Sequence, residues 1–167
     1  MRALLLALAI LLSACGFQLR GSYALPWETL YISLPEFDGL RAEMKRAIEA
    51  ATRTKVVADR KEAQATLVIL RNDSLRSILS LNAKGLVREV QLTRIFAYRL
   101  QDAAGREIAA PGQIVLQREM TFDDEQLLAK GSEEGLILRE MQTDLVQQLL
   151  RRLAAAKPLP ATSAQGG

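Results

Sequence analysis

The stretch that decides the fold is "EVQLTRIFAYRLQ", residues 89–101. Val90, Leu92, Phe96, Tyr98 and Leu100 fall on one side of an extended chain. Glu89, Gln91, Thr93, Arg99 and Gln101 fall on the other. Successive side chains of a strand point to opposite faces, so this period of two predicts a strand with one buried and one solvated face. Asn82-Ala83-Lys84-Gly85 is a turn before it, and Asp102-Ala103-Ala104-Gly105 closes a hairpin after it.

The flanking segments read as its neighbours. "ATLVIL", residues 65–70, is a buried strand whose alternation shifts phase near Arg71 to Leu75 and resumes at Ser77, Leu79 and Leu81. One long strand with a bulge or a strong twist gives that pattern. On the other side a strand runs through Ile108 and, past a bend at Pro111-Gly112, through Ile114, Leu116, Met120 and Phe122. Pro111 marks a bulge or an edge position, because proline cannot donate to a ladder.

Further out, "WETLYISL", residues 27–34, is rich in aromatic and β-branched residues and ends at Pro35. Phe37, Leu40, Met44, Ala47, Ile48 and Ala51 recur at three- and four-residue steps, one apolar face of a helix. Arg41, Glu43, Lys45, Arg46 and Glu49 supply its charged face, and Asp38 its N-cap. Thr54–Ala58 is a short strand and Lys61–Gln64 a polar loop. A last helix covers roughly Glu133–Ala155, with Ile137, Met141, Leu145, Leu149 and Leu153 as its seam; Gln126–Ala129 could add an earlier turn. The tail, Lys157–Gly167, is Pro-, Ala- and Gly-rich and reads as disordered. The order β-α-β-β-β-β-α predicts an α+β two-layer sandwich. Each helix has a single stripe to bury, so a mixed four- to five-stranded sheet carries both helices on one face. Residues 25–156 are expected to form this single α/β domain.

The N-terminus reads separately. Residues 1–14 have a positive Arg2 and an apolar run from Ala3 to Leu12, the pattern of a secretory signal. That run falls short of the roughly 20 apolar residues a membrane-spanning helix needs. Leu12-Ser13-Ala14-Cys15 looks like a bacterial lipobox, so Cys15, the only cysteine, is the expected lipidation site. A lone free thiol is a liability in an oxidising compartment, which favours lipidation over a signal followed by an unmodified cysteine. Each buried methylene contributes roughly 0.8 kcal/mol, so two or three acyl chains anchor firmly. Residues 15–24 form the lipidated tether. Gly16 after the cysteine, by likeness to lipoprotein sorting in Gram-negative bacteria, implies the outer membrane.

Chemistry is sparse. There is no histidine, which removes His-based acid–base catalysis, His triads and His metal sites. No GxSxG elbow, phosphate loop or dinucleotide fingerprint is present. Asp123-Asp124-Glu125 and Glu133-Glu134 read as N-terminal helix charges. No catalytic residue, metal site or cofactor is expected. A net charge of +3 is too weak for a nucleic-acid footprint. Arg71, Arg76, Lys84, Arg88, Arg94, Arg99 and Arg118 all lie on the long strands or their turn, and Lys130 in a loop before the last helix. Alternation alone makes them a solvated sheet face. The sharper reading is recognition of a phosphorylated, anionic partner.

Three stretches carry a family resemblance: "CGFQLRG" at residues 15–21, "ALPWETLYISL" at 24–34, and "LLAKGSEEGLILREMQTDLVQQLLRRL" at 127–153. Together with the order of elements they resemble the lipopolysaccharide-assembly lipoproteins of the outer membrane, the LptE family. The resemblance implies a non-enzymatic protein that plugs a large outer-membrane β-barrel partner, LptD, in a 1:1 complex. It also implies binding of lipopolysaccharide through basic residues at one end of the domain. Lys130 matches the lysine of the family's "LAK" loop, and Lys84, with Arg88 beside it, stands at the turn between the two long strands where the second basic site lies. The implied location is the outer membrane, lipid-anchored, facing the periplasm and inside the partner barrel. Three other readings compete: an auxiliary lipoprotein of a periplasmic lipid-transport system, a small lipid-anchored hydrolase, and a structural lipoprotein without a ligand.

Overall fold

A computed structural model describes residues 24–122 and 127–156, with side chains in the last segment from residue 131. The expected leader, Cys15, nearly all of the tether, the acids Asp123-Asp124-Glu125 and the tail lie outside the described residues. Five strands make one sheet: β1 Thr29–Ile32, β2 Lys55–Val57, β3 Ala65–Leu81, β4 Val87–Asp102 and β5 Glu107–Thr121, in the order β2-β1-β3-β4-β5. Two helices, α1 Gly39–Ala51 and α2 Leu127–Ala155, complete the fold. β1 runs parallel to both β2 and β3, while β3, β4 and β5 form an antiparallel meander. The sheet is therefore mixed, and the architecture is the expected α+β.

The alternation at residues 89–101 explains why the layers assemble. Val90, Leu92, Phe96, Tyr98 and Leu100 are all buried. Leu92, Phe96, Tyr98 and Leu100 join Leu30 and Ile32 of β1, Leu67 of β3, and Ile114 and Leu116 of β5 beneath the helices. Met44 and Ile48 of α1 and Met141, Leu145, Leu149 and Leu153 of α2 close that core from above. The helices meet across their polar sides: Gln142 and Thr143 donate to the Glu43 carboxylate at 2.7 and 2.9 Å. The other sheet face carries Glu89, Gln91 and Thr93 opposite Thr121, Glu119 and Gln117.

Both expected irregularities are present. Leu70 is skipped in the β3–β4 register, so it bulges and is 53% exposed. In β5, Gly112 faces Tyr98 but Ala109 faces Leu100, which places a bulge at Ala110-Pro111 on an edge strand. Proline is tolerated there because no neighbour needs its missing donor.

Several expectations are corrected. α2 begins at Leu127, not Glu133, so Lys130 lies in a helix rather than a loop. Leu127, Leu128, Ala129 and Lys130 are strong helix formers, and Gly131 costs only about 1 kcal/mol against Ala, which a 29-residue helix absorbs. Phe37 is 93% exposed instead of on the apolar face of α1. Asp38 caps that helix in an extended conformation, its Oδ1 accepting from Leu40 N at 2.7 Å, so Phe37 precedes the helical period. Arg41, expected on the charged face, is buried and donates to Val57 O. Lys61–Gln64 is not wholly a loop: Arg60–Glu62 forms a 3-10 turn capped by Asp59.

Candidate functional site

β3 and β4 outrun β1, which pairs only with Ala65–Leu67. Their far end is a hairpin tip held by side-chain capping. Asn82 N donates to Leu86 O at 2.8 Å, and Asn82 Oδ1 accepts from Lys84 N and Leu86 N at 3.0 Å each. Gly85 takes φ +76°, a left-handed conformation that glycine adopts without strain. The turn thus holds Lys84, itself exposed, at the apex.

Arg88 stands at a second irregularity. Glu89 pairs with Ser80 but Val87 with Leu81, so Arg88 is skipped and exposed. Its carbonyl accepts from Phe122 N at 2.7 Å, tying the end of β5 to the tip. α2 then returns along the sheet. Glu134 pairs with Arg76 at 3.6 Å, Asp144 with Arg118, and Arg152 donates to Gln113 O. As α2 advances from Asp144 to Arg152, its β5 partners retreat from residue 118 to 113, so its first turn belongs to the tip end. Lys130 lies one helical turn before Glu134. The three cations singled out from the sequence, Lys84, Arg88 and Lys130, therefore come from one end of the molecule.

The arginines in the body of the sheet, Arg71, Arg76, Arg94, Arg99 and Arg118, each contact a side chain nearby. Arg71 pairs with Asp73, Arg99 with Glu107 at 4.0 Å, and Arg76 also lies 5.5 Å above the Phe122 ring. Arg94 is the unexpected one. It projects to the helix side between Leu92 and Phe96, donating to Asn72 Oδ1 at 2.8 Å and Ser74 Oγ at 3.1 Å. Burial lowers its pKa, and the nearby Asp38 carboxylate opposes that shift. Arg76, Arg94, Arg99 and Arg118 link one element to another, while Arg71 pairs within β3.

No other arrangement among the described residues offers chemistry. Among the described residues no three His, Cys, Asp or Glu side chains stand close enough for a metal, and no helix is long and apolar enough to cross a membrane. A depression of about 370 Å³ is lined by Arg118, Arg139, Glu140, Thr143 and Asp144, charged residues without a nucleophile–base pair.

Comparison with known proteins supplies the family. Residues 27–153 match the lipopolysaccharide-assembly family, LptE. This chain belongs to the LptE family. As an LptE lipoprotein it takes part in lipopolysaccharide assembly. It is 30% identical over 157 residues to the LPS-assembly lipoprotein LptE of Pectobacterium atrosepticum, covering 90% of this chain and 83% of that protein. Its fold is similar to lipoprotein B of Nitrosomonas europaea, solved by NMR, with a TM-score of 0.72 and 39% identity over 84% of this chain and 91% of that one. The rare lipoprotein B of Shewanella oneidensis is also similar, with a TM-score of 0.64 and 25% identity over 76% and 94% of the two chains. The match begins at Trp27 and ends at Leu153, so it spans both helices and every strand.

What the sequence missed at the LptE tip is apolar. Ile78, Leu79, Leu81 and Leu86 are each about half-exposed there. The adjacent apolar pair Ile78-Leu79 was the available signal, since neighbours along a strand face opposite sides and cannot both reach one core.

Proposed function

We propose that this LptE chain is a non-enzymatic outer-membrane lipoprotein that binds lipopolysaccharide with its tip and plugs the lumen of the LptD β-barrel. Lipidation at Cys15 holds residues 15–24 as a tether at the membrane. The domain of residues 25–156 faces the periplasm and enters the barrel.

The convergence of Lys84, Arg88 and Lys130 at one end carries this reading. A lysine is a point charge that suits a phosphate, and an arginine adds a planar fork. β3 is 17 residues long, so at about 3.3 Å per residue its two ends stand roughly 50 Å apart. The first described residues belong to the opposite end, where Thr54 Oγ donates to Trp27 O at 2.6 Å beside the start of β1. The first described residues and the hairpin tip therefore stand at opposite ends of the long axis. The polar open face, Glu89, Gln91, Thr93, Gln117, Glu119 and Thr121, suits the polar lumen of a large barrel.

Two measurements test it. Purification of the full chain from membranes in mild detergent should bring down a roughly stoichiometric, heat-modifiable barrel protein; an inner-membrane transporter complex in its place would support the auxiliary-subunit reading. In the same preparation Lys84→Glu/Lys130→Glu should lose at least tenfold of the bound lipopolysaccharide while retaining its circular dichroism. Unchanged binding in the folded double mutant would remove these residues from the site.

A further inference from the structure

We propose that the tip holds the acyl chains of lipopolysaccharide as well as its phosphates, and that Ile78, Leu79, Leu81 and Leu86 form the acyl-binding surface. Acyl binding here presupposes the lipopolysaccharide reading above and adds to it the hydrocarbon part of the ligand.

Four aliphatic side chains within nine residues are 56%, 47%, 56% and 52% exposed. Single exposed leucines need no explanation, but a contiguous group marks a contact surface. The cause lies in the register. Shifts between Ile78 and Ser80 and between Ser80 and Leu81 break the strict alternation of β3. Neighbouring apolar residues then project at different angles, which no single helix stripe can cover.

Charge selects the occupant. Lys84 and Arg88 are exposed among these residues, and Glu89 accepts a hydrogen bond from Ser80 Oγ at 2.6 Å. Cations next to open hydrocarbon match an amphiphile with anionic groups beside alkyl chains. The polar lumen wall of a large barrel offers little to four aliphatic side chains. Along the hairpin Ile78, Leu79 and Leu81 precede Lys84 and Leu86 follows it, so phosphate and alkyl chain can engage together.

The test uses the full chain in living cells, with the photoreactive residue p-benzoylphenylalanine replacing Leu79 or Leu81, and separately Lys84, Arg88 or Val115. Val115, 49% exposed on the open sheet face, is the reference position. Adducts are read by immunoblot for lipopolysaccharide, and mass spectrometry assigns the attachment to acyl chain or sugar phosphate. Leu79 and Leu81 should give acyl-chain adducts at least tenfold above Val115. If Lys84 or Arg88 captures lipopolysaccharide while Leu79 and Leu81 capture only polypeptide, or nothing, acyl binding is overturned and phosphate binding stands. If none of the four positions captures lipopolysaccharide, both readings fall. As a second measurement, Leu79→Ser/Leu81→Ser, with unchanged circular dichroism, should co-purify at least fivefold less lipopolysaccharide; wild-type amounts would overturn the proposal.

Discussion

At the scale of single residues, the tightest fit is Gly112. It faces Tyr98 across the β4–β5 ladder, and a Cβ placed there would lie 2.5 Å from the Tyr98 ring carbon Cζ. The glycine is required by close approach of an aromatic ring, since its φ is not positive. Gly112→Ala should cost about 1–3 kcal/mol, the range of an overpacked core, in a urea melt. In a Tyr98→Leu background the same Gly112→Ala change should cost much less, because the obstacle is the ring. Sequence showed Pro111-Gly112 as a bend, yet the ring above it belongs to another strand and leaves no local trace. Asp102 makes a second prediction. Its carboxylate accepts from Arg106 N at 2.9 Å and Arg106 Nε at 2.8 Å. The Arg106 backbone N–H, aided by the guanidinium, holds its pKa below the ordinary carboxylate value. A depressed folded pKa contributes stability above the unfolded pKa and loses it as pH falls through the folded one. Asp102→Asn should therefore loosen the β4–β5 hairpin at pH 7 and change little at pH 2. An NMR titration should place the Asp102 midpoint below that of an unstructured aspartate.

Among the elements, β3 is the most exposed to error, because half of it is an edge. Ile69 N donates outward to Ser33 Oγ at 2.9 Å, and Leu67 O accepts from Ser33 N at 3.0 Å. Backbone direction alternates along a strand, so Val68 and its partner Arg99 turn toward each other. The same alternation along β4 turns Ala97, Ile95 and Thr93 toward β3, and hence Arg71, Asp73 and Leu75 inward. Asn72, Ser74 and Arg76 then present their backbone N–H groups to the open edge. Ser74→Pro keeps every ladder bond and loses only the hydrogen bond from Arg94, whereas Leu75→Pro strips a ladder bond and should cost at least about 2 kcal/mol more in a thermal melt. Equal losses would mean the register is misread. Period two made β4 legible at once, and the phase shift exposed the β3 bulge. The start of α2 was hidden because Gly131, a residue that often ends helices, sits inside one. Lys130 was found through its family motif, and its place in a helix came only from the fold.

For the whole molecule, one prediction concerns attachment. Full chain labelled with radioactive palmitate should carry label at Cys15, and Cys15→Ala should carry none; label in that mutant would point to a different anchor. Alternation, helical stripes and turn residues are local properties, fixed by backbone geometry, and they determined the number and order of the strands and helices and the buried face of β4. The lipobox is equally local, which is why lipidation could be expected from four residues. Tertiary structure decided what locality cannot encode. It set β1 parallel between β2 and β3, because pairing depends on how α1 carries the chain across the sheet. It drew Arg94 under the helices, paired Arg71, Arg76, Arg99 and Arg118 with acids, and set Lys84 and Arg88 at the tip. It uncovered four aliphatic side chains there, because β3 and β4 run past β1 and two register shifts break their alternation. Exposure depends on what else is packed nearby, and a sequence lists neighbours along the chain rather than across space.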